Sequence, residues 1–339
     1  MAILIDWEKF LKQNNPTERP LIDVRSPGEY ALGYVPGAES MPIFNDDERA
    51  AVGTLFKQVG RDVAVRKGLE YIGPKMAPMV KQIDKFAPER KVAVHCWRGG
   101  MRSQSVASLL EMAGYDVQVI EGGYKAYRNL ILEYMGKPWK LKVLSGRTGS
   151  GKTDILLAMK AKGQQVIDLE GLAHHKGSAF GGLMQAPQPT QQNFEHALFE
   201  ALRACDPNKP IWLEDESVSI GKVAIPQPLW KQKLVSPITL VDMPTERRVK
   251  RLVHEYSNAP VEGIRKSVNG ISRRLGGQRV NQALEALEQG NFAEGTRISL
   301  HYYDSAYDKG LAKKKEFVQH TIACEEDSIE VIADRVIAK

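Results

Sequence analysis

Eight consecutive residues, Gly146-Arg147-Thr148-Gly149-Ser150-Gly151-Lys152-Thr153, constrain this chain more than any others. They match G-x-x-x-x-G-K-[ST], a spacing whose glycines let the backbone curl until successive N–H groups point at one anion. The run before them, Leu141-Lys142-Val143-Leu144-Ser145, reads as a strand, and Asp154 to Lys160 reads as the start of a helix. Strand, curled loop and helix N-terminus together predict an α/β domain that holds a di- or triphosphate. In it Gly146 through Thr153 cradle the phosphates, Lys152 adds a full positive charge and Thr153 offers a hydroxyl to Mg²⁺.

A chain of 339 residues has room for two or three domains. Upstream, Leu21-Ile22-Asp23-Val24, Lys91 to His95 and Val117 to Ile120 read as strands, and Ser103 to Ala113 as a helix. That βαβ rhythm predicts a parallel sheet in residues 1–135. Met135-Gly136-Lys137-Pro138 reads as a linker. Residues 136–243 form the phosphate-loop α/β domain, with further strands at Gln165–Leu169, Pro210–Leu213 and Ile238–Asp242. Residues 244–339 read as a basic, mainly helical extension of that domain.

No apolar run is long enough to cross a membrane, and the N-terminus meets acids at once, unlike a signal peptide. Cys96, Cys205 and Cys324 are odd in number and lack C-x-x-C spacing. This points to a reducing, cytoplasmic setting without a disulfide framework or structural zinc. A net charge of +6 is compatible with a polyanionic partner.

Cys96 stands between a predicted strand and a predicted helix in His95-Cys96-Trp97-Arg98-Gly99-Gly100-Met101-Arg102-Ser103. Inward-facing N–H groups at a helix start and the charges of Arg98 and Arg102 favour a thiolate beside an anion cradle. Cys96, Arg98, Arg102 and Lys152 are therefore the candidate catalytic residues.

This region resembles the rhodanese family of sulfurtransferases over roughly the first 130 residues. The resemblance rests on Asp23-Val24-Arg25-Ser26-Pro27-Gly28-Glu29-Tyr30, on Gly33-Tyr34-Val35-Pro36-Gly37-Ala38, on the cysteine loop and on Glu121-Gly122-Gly123-Tyr124-Lys125-Ala126-Tyr127. It implies a cysteine that carries a chalcogen. One departure is the spacing to Arg102, six residues after Cys96, which also fits cysteine phosphatases with a wider loop. Such a cradle suits selenophosphate or phosphate.

A rhodanese-like segment followed by a phosphate loop, in a chain of this length, resembles the tRNA 2-selenouridine synthase family. Asp168-Leu169-Glu170-Gly171-Leu172-Ala173-His174-His175-Lys176-Gly177-Ser178-Ala179-Phe180-Gly181 adds to that resemblance. The resemblance implies a tRNA-modifying transferase acting on the wobble uridine of the anticodon. Its co-substrates are selenophosphate and geranyl diphosphate, and its route passes through an S-geranylated intermediate. A selenophosphate-producing enzyme becomes a candidate partner. The chief rival is a nucleotide-dependent kinase or NTPase with a rhodanese-like module.

Three acids, Glu214-Asp215-Glu216, end a predicted strand, where phosphate-loop enzymes place a metal- or water-positioning carboxylate. Asp215, with Thr153, is thus a candidate Mg²⁺ ligand, and Asp168 and Glu170 raise the same question. His174 and His175 could serve an active-site loop or merely a polar turn. Arg247, Arg248, Arg251, Arg273 and Arg274 suit contact with an RNA backbone, and the same pattern would suit a lid over phosphates or a solvated helix face.

Overall fold

Short apolar runs build the sheets, with the inner strands Lys91–His95 and Ile211–Glu214 buried on both faces. A computed structural model describes residues 2–13 and 15–339 and divides into two units, Met1–Tyr134 and Met135–Lys339. The α/β expectation holds in both. In the first unit the strands are β1 (Ile3–Ile5), β2 (Leu21–Asp23), β3 (Glu39–Ser40), β4 (Lys91–His95) and β5 (Asp116–Ile120). They pair in parallel in the order β1-β5-β4-β2-β3. Val92, Ala93 and Val94 of the central β4 are fully buried, as a parallel strand covered on both faces requires. Ile22, Val94, Ile83, Val106 and Leu110 belong to the core beneath them.

In the second unit the parallel order is β12-β11-β6-β8-β7, from β6 (Leu141–Gly146), β7 (Gln165–Ile167), β8 (Ile211–Glu214), β11 (Ile238–Asp242) and β12 (Val318–Ala323). A small antiparallel pair, β9 (Ser219–Ile220) and β10 (Val223–Ala224), lies outside that sheet. The chain leaves β6 toward β8 and β7 on one side and later returns to β11 on the other. The carboxyl end of β6 is thus the switch point where open α/β sheets bind ligands.

Three details differ from the sequence reading. Strand β7 stops at Ile167 because Asp168 caps the next helix, accepting from the Gly171 N–H at 2.7 Å. Met135 closes the helix Gly123–Met135 and is fully buried rather than lying in a loose linker. The segment 244–339 also returns a strand, β12, which pairs with β11. The helices 245–312 between them gather a second apolar core around Ile264, Val268, Leu275, Val280 and Leu287.

Candidate active sites

In the first unit, Cys96 follows β4 and is 3% exposed. Its Sγ lies 3.3 Å from the Ser103 hydroxyl, which donates to the Gly100 carbonyl. The loop is seated on the Glu121-Gly122-Gly123 turn after β5. Tyr124 N–H donates to the Cys96 carbonyl at 2.8 Å and Lys125 N–H to that of Trp97 at 2.9 Å. Gly123 has φ +55°, and a Cβ there would stand 2.3 Å from the Cys96 carbonyl oxygen. No other residue fits under the loop.

The Asp23–Tyr30 motif braces the other flank. Arg25 and Asp23, both without exposed side-chain surface, pair at 2.6 Å, and the guanidinium lies 3.7 Å over the Tyr124 ring. Burial, opposed by Asp23, holds the His95 imidazole below its usual range, so it is neutral at pH 7. Arg102 of the cysteine loop is held by Glu29 at 2.5 Å. Burial pushes the Glu29 carboxyl up, and the Arg102 guanidinium outweighs it to keep the carboxyl below its ordinary value. Arg98 is exposed. The side chains that fix Arg102 thus come from a motif 73 residues earlier. Glu29, quoted in that motif, was not singled out from sequence as a site residue.

In the second unit, Gly146 ends β6 and Lys152 opens the helix Lys152–Ala161. Gly151 caps that helix in the left-handed region at φ +76°, and a Cβ there would press on Arg251 at 3.2 Å. Lys152 Nζ donates to the Gly146 carbonyl at 3.2 Å, and the Thr153 hydroxyl donates to Glu170 at 2.7 Å. Arg147 pairs with Asp308 at 2.9 Å.

The carboxylates divide by environment. Burial, then Asp168, pushes the Glu214 carboxyl well above the usual range, and it accepts from the Leu169 N–H at 2.9 Å. Burial pushes Glu216 up to about 7, while Lys152 pulls it down. Burial alone would raise Asp215, but the Lys233 and Lys314 ammoniums hold it low, and the Ser145 hydroxyl donates to it at 2.5 Å. Asp215 is therefore already neutralised and does not fit the expected Mg²⁺ role. Glu170 is the carboxylate that reaches Thr153. Among the described residues no group of three or more His, Cys, Asp or Glu is placed to hold a metal ion. A Mg²⁺ here would depend on Thr153 and the ligand's own phosphates.

The His174–Phe180 loop closes over this region. His174 Nδ1 sits 2.9 Å from the Pro187 carbonyl, and burial lowers the pKa of His175. Lys176 pairs with Glu255 at 2.5 Å, and the Ala179 N–H donates to the Tyr303 hydroxyl at 3.0 Å.

The candidate RNA arginines separate into three groups. Arg248 is 1% exposed, paired with Asp304 at 2.7 Å and donating to the carbonyls of Thr148 and Met243. The expectation that it faces RNA is corrected: it braces the phosphate loop from beneath. Arg251 pairs with Asp154 beside the loop. Arg247 donates to the carbonyls of Cys324, Glu325 and Asp327. Only Arg273 and Arg274 of the five are fully on the surface, Arg274 donating to the Tyr302 hydroxyl at 2.7 Å.

A cavity of about 720 Å³ opens from the phosphate loop. Its polar end holds Lys152, Thr153, Glu170, Lys176, Glu216 and Arg251. Its opposite end is made by Ile264, Val268, Leu287, Phe292 and Leu300 of the helices Val261–Gly270, Gly277–Glu288 and Phe292–Ala312. Sequence reasoning missed that apolar half, because its residues are spread over three helices that also read as ordinary core.

Comparison with known proteins agrees in both units. The family described as the tRNA 2-selenouridine synthase AAA domain matches residues 139–336, and the rhodanese-like domain family matches residues 6–130. A tRNA 2-selenouridine synthase of Shewanella piezotolerans is 34% identical over 338 residues, covering 88% of this chain and 91% of that protein. One from Marinobacter nauticus is 33% identical over 333 residues, covering 87% and 89% respectively.

Proposed function

Since the chain belongs to the tRNA 2-selenouridine synthase family, we propose that it exchanges sulfur for selenium in the wobble 2-thiouridine of tRNA, using geranyl diphosphate and then selenophosphate. The observation that carries this reading is the mixed character of the cavity, a phosphate cradle at one end and an apolar wall at the other. That pairing suits a diphosphate joined to a hydrocarbon chain. The ribose and base of a nucleotide would need polar partners that the apolar wall does not supply.

A thiocarbonyl sulfur leaves poorly, so it is first alkylated. The sulfur attacks C1 of the geranyl group, the allylic C–O bond breaks, diphosphate departs and the ring nitrogen loses its proton. Negative charge grows on the departing diphosphate, beside Lys152, Arg251 and the phosphate loop that line the cavity. When bound, Mg²⁺ adds positive charge at the same oxygens. The second stage belongs to the Cys96 loop, whose Arg98 and Arg102 suit an anionic selenium donor. Selenium bonds to C2 of the ring, the C–S bond breaks, and geranyl thiol leaves. The P–Se bond is cleaved by water, releasing phosphate. Of the five candidate arginines, Arg273 and Arg274 are the exposed ones that could meet the RNA backbone.

The test is mass spectrometry of wobble nucleosides after incubating full-length protein with thiolated tRNA, geranyl diphosphate and selenophosphate. Lys152→Ala should block alkylation. Cys96→Ser should stop selenium entry and leave geranylated tRNA. Formation of 2-selenouridine at wild-type rates by both variants would refute the reading. ATP turnover without RNA, together with indifference to geranyl diphosphate, would favour the nucleotide-dependent rival.

A further inference from the structure

We propose that the helical end wall of the phosphate-loop cavity, built from Ile264, Val268, Leu287 and Thr296, sets the length of the isoprenoid chain that the enzyme transfers. This rests on reading the cavity as a prenyl diphosphate site.

Tyr307 meets Ser145 at the base of the phosphate loop, and its helix carries Leu300, Thr296 and Phe292 successively farther from that contact along the same cavity. The diphosphate end is pinned by the loop between β6 and the helix Lys152–Ala161, so a bound chain must run away from Lys152. The far end is not open loop but the side of a packed bundle. Val268 is 1% exposed and Ile264 and Leu287 are each 8% exposed, and all three belong to the apolar core of the helices 261–288 while also lining the cavity. Such a wall cannot swing aside as a surface loop would, because its residues are held by neighbours on the other face.

The chemistry of the wall also selects its ligand. Of the residues lining this end, Thr296 and Ser299 carry hydroxyls, and that of Ser299 already donates to the Gly295 carbonyl at 2.9 Å. The Tyr303 hydroxyl accepts from Ala179 N–H. The Ile264, Val268, Leu287, Phe292 and Leu300 side chains offer no hydrogen bond to a base or a sugar, whereas a branched hydrocarbon needs none. A volume of about 720 Å³ lies in the range of sites for molecules of this size, about 300–1,000 Å³. A chain one isoprene unit too long must displace core side chains, and one unit too short leaves the wall without contacts.

The experiment is a competition among dimethylallyl, geranyl and farnesyl diphosphates for full-length protein acting on a thiolated anticodon stem-loop. Alkylated nucleosides are counted by mass spectrometry. Inorganic pyrophosphate affinity and the thermal midpoint are measured alongside. Wild type should favour the ten-carbon donor. Val268→Phe and, at the less buried position, Thr296→Leu should shift preference toward the five-carbon donor. Leu287→Ala should shift it toward the fifteen-carbon donor. A single methylene in an apolar pocket is worth roughly 10- to 200-fold in discrimination, so each ratio should move by at least about tenfold. Pyrophosphate affinity should stay at the wild-type value. If folded variants keep pyrophosphate binding and transfer all three chains in wild-type proportions, the end wall is not the ruler, while the prenyl reading stands. If wild type alkylates with none of the three, that reading itself falls and the ruler with it.

Discussion

Removing the carboxylate of Asp304 should unfold the phosphate-loop unit more readily than its partly exposed position suggests. Asp304 accepts from both terminal nitrogens of the Arg248 guanidinium, at 2.8 and 2.7 Å. The Arg248 side chain is 2% exposed and that of Asp304 is 26% exposed. Deleting one partner of a fully buried pair leaves an uncompensated charge, a loss of about 3–5 kcal/mol. Water can reach the Asp304 side, so for Asp304→Ala we expect about 2–3 kcal/mol. In urea that corresponds to a midpoint lowered by about 1 M for a slope near 2–3 kcal/mol/M. The same guanidinium holds the Thr148 carbonyl of the phosphate loop, so pyrophosphate affinity should fall as well. The double variant Arg248→Met with Asp304→Leu replaces the pair by apolar groups and should recover much of the stability, though not the brace on Thr148. The assay is tryptophan-monitored urea unfolding of the full chain, with pyrophosphate titration by calorimetry. A midpoint shift below about 0.2 M for Asp304→Ala, with pyrophosphate binding intact, would show that Arg248 is not a brace and return it to the list of RNA contacts.

Glu29→Gln keeps the cap on the helix Pro27–Leu32 but removes the charge that holds Arg102. Selenium entry should slow by about tenfold, the equivalent of about 1.4 kcal/mol, and geranylated nucleoside should accumulate while its formation rate stays normal. An unchanged selenation rate would detach Glu29 from that step. Glu216 is raised from the ordinary 4.5 to about 7 by burial. The native state then binds more protons than the unfolded state between those values, so its contribution to stability is full below pH 4.5 and disappears as pH rises to about 7. Urea midpoints measured across that window should decline less in Glu216→Gln; identical slopes would contradict the raised value. Gly123→Ala forces a left-handed φ and a contact with the Cys96 carbonyl, a loss of about 1–3 kcal/mol. Selenation should be lost and geranylation kept; a variant with normal selenation would mean the loop can shift without consequence.

Both loops were legible in the sequence because their chemistry is local. A phosphate cradle is made of backbone N–H groups a few residues apart, and the loop from Cys96 to the helix Met101–Met112 carries its own arginines. Partners across the fold were not legible. Arg248 looks like any arginine on a basic helix, and only the fold reveals its counter-ion 56 residues later. Asp215 reads as a metal carboxylate by position, yet Lys314, 99 residues away, occupies it. Strand β12 escaped notice because Gln319, His320 and Thr321 interrupt its apolar pattern on a half-exposed sheet edge. The apolar half of the cavity escaped because Val268 and Leu287 belong to a core and line a cavity at once.

The late return of β12 has a consequence for how the molecule is made. The sheet around Cys96 has all its strands once residue 120 has been synthesised. The sheet that carries the phosphate loop receives its last strand only at residues 318–323. The helix Ile329–Ile337 then covers the helix behind Lys152, with the Ile329 side chain against Gly151. On a ribosome adding about 5–20 residues per second, the cysteine half can mature while the other half waits roughly ten seconds or more with its central strands uncovered. A chain that stops between residues 318 and 337 should thus have a sound cysteine loop and a collapsed phosphate cradle, the half most dependent on chaperones during its birth.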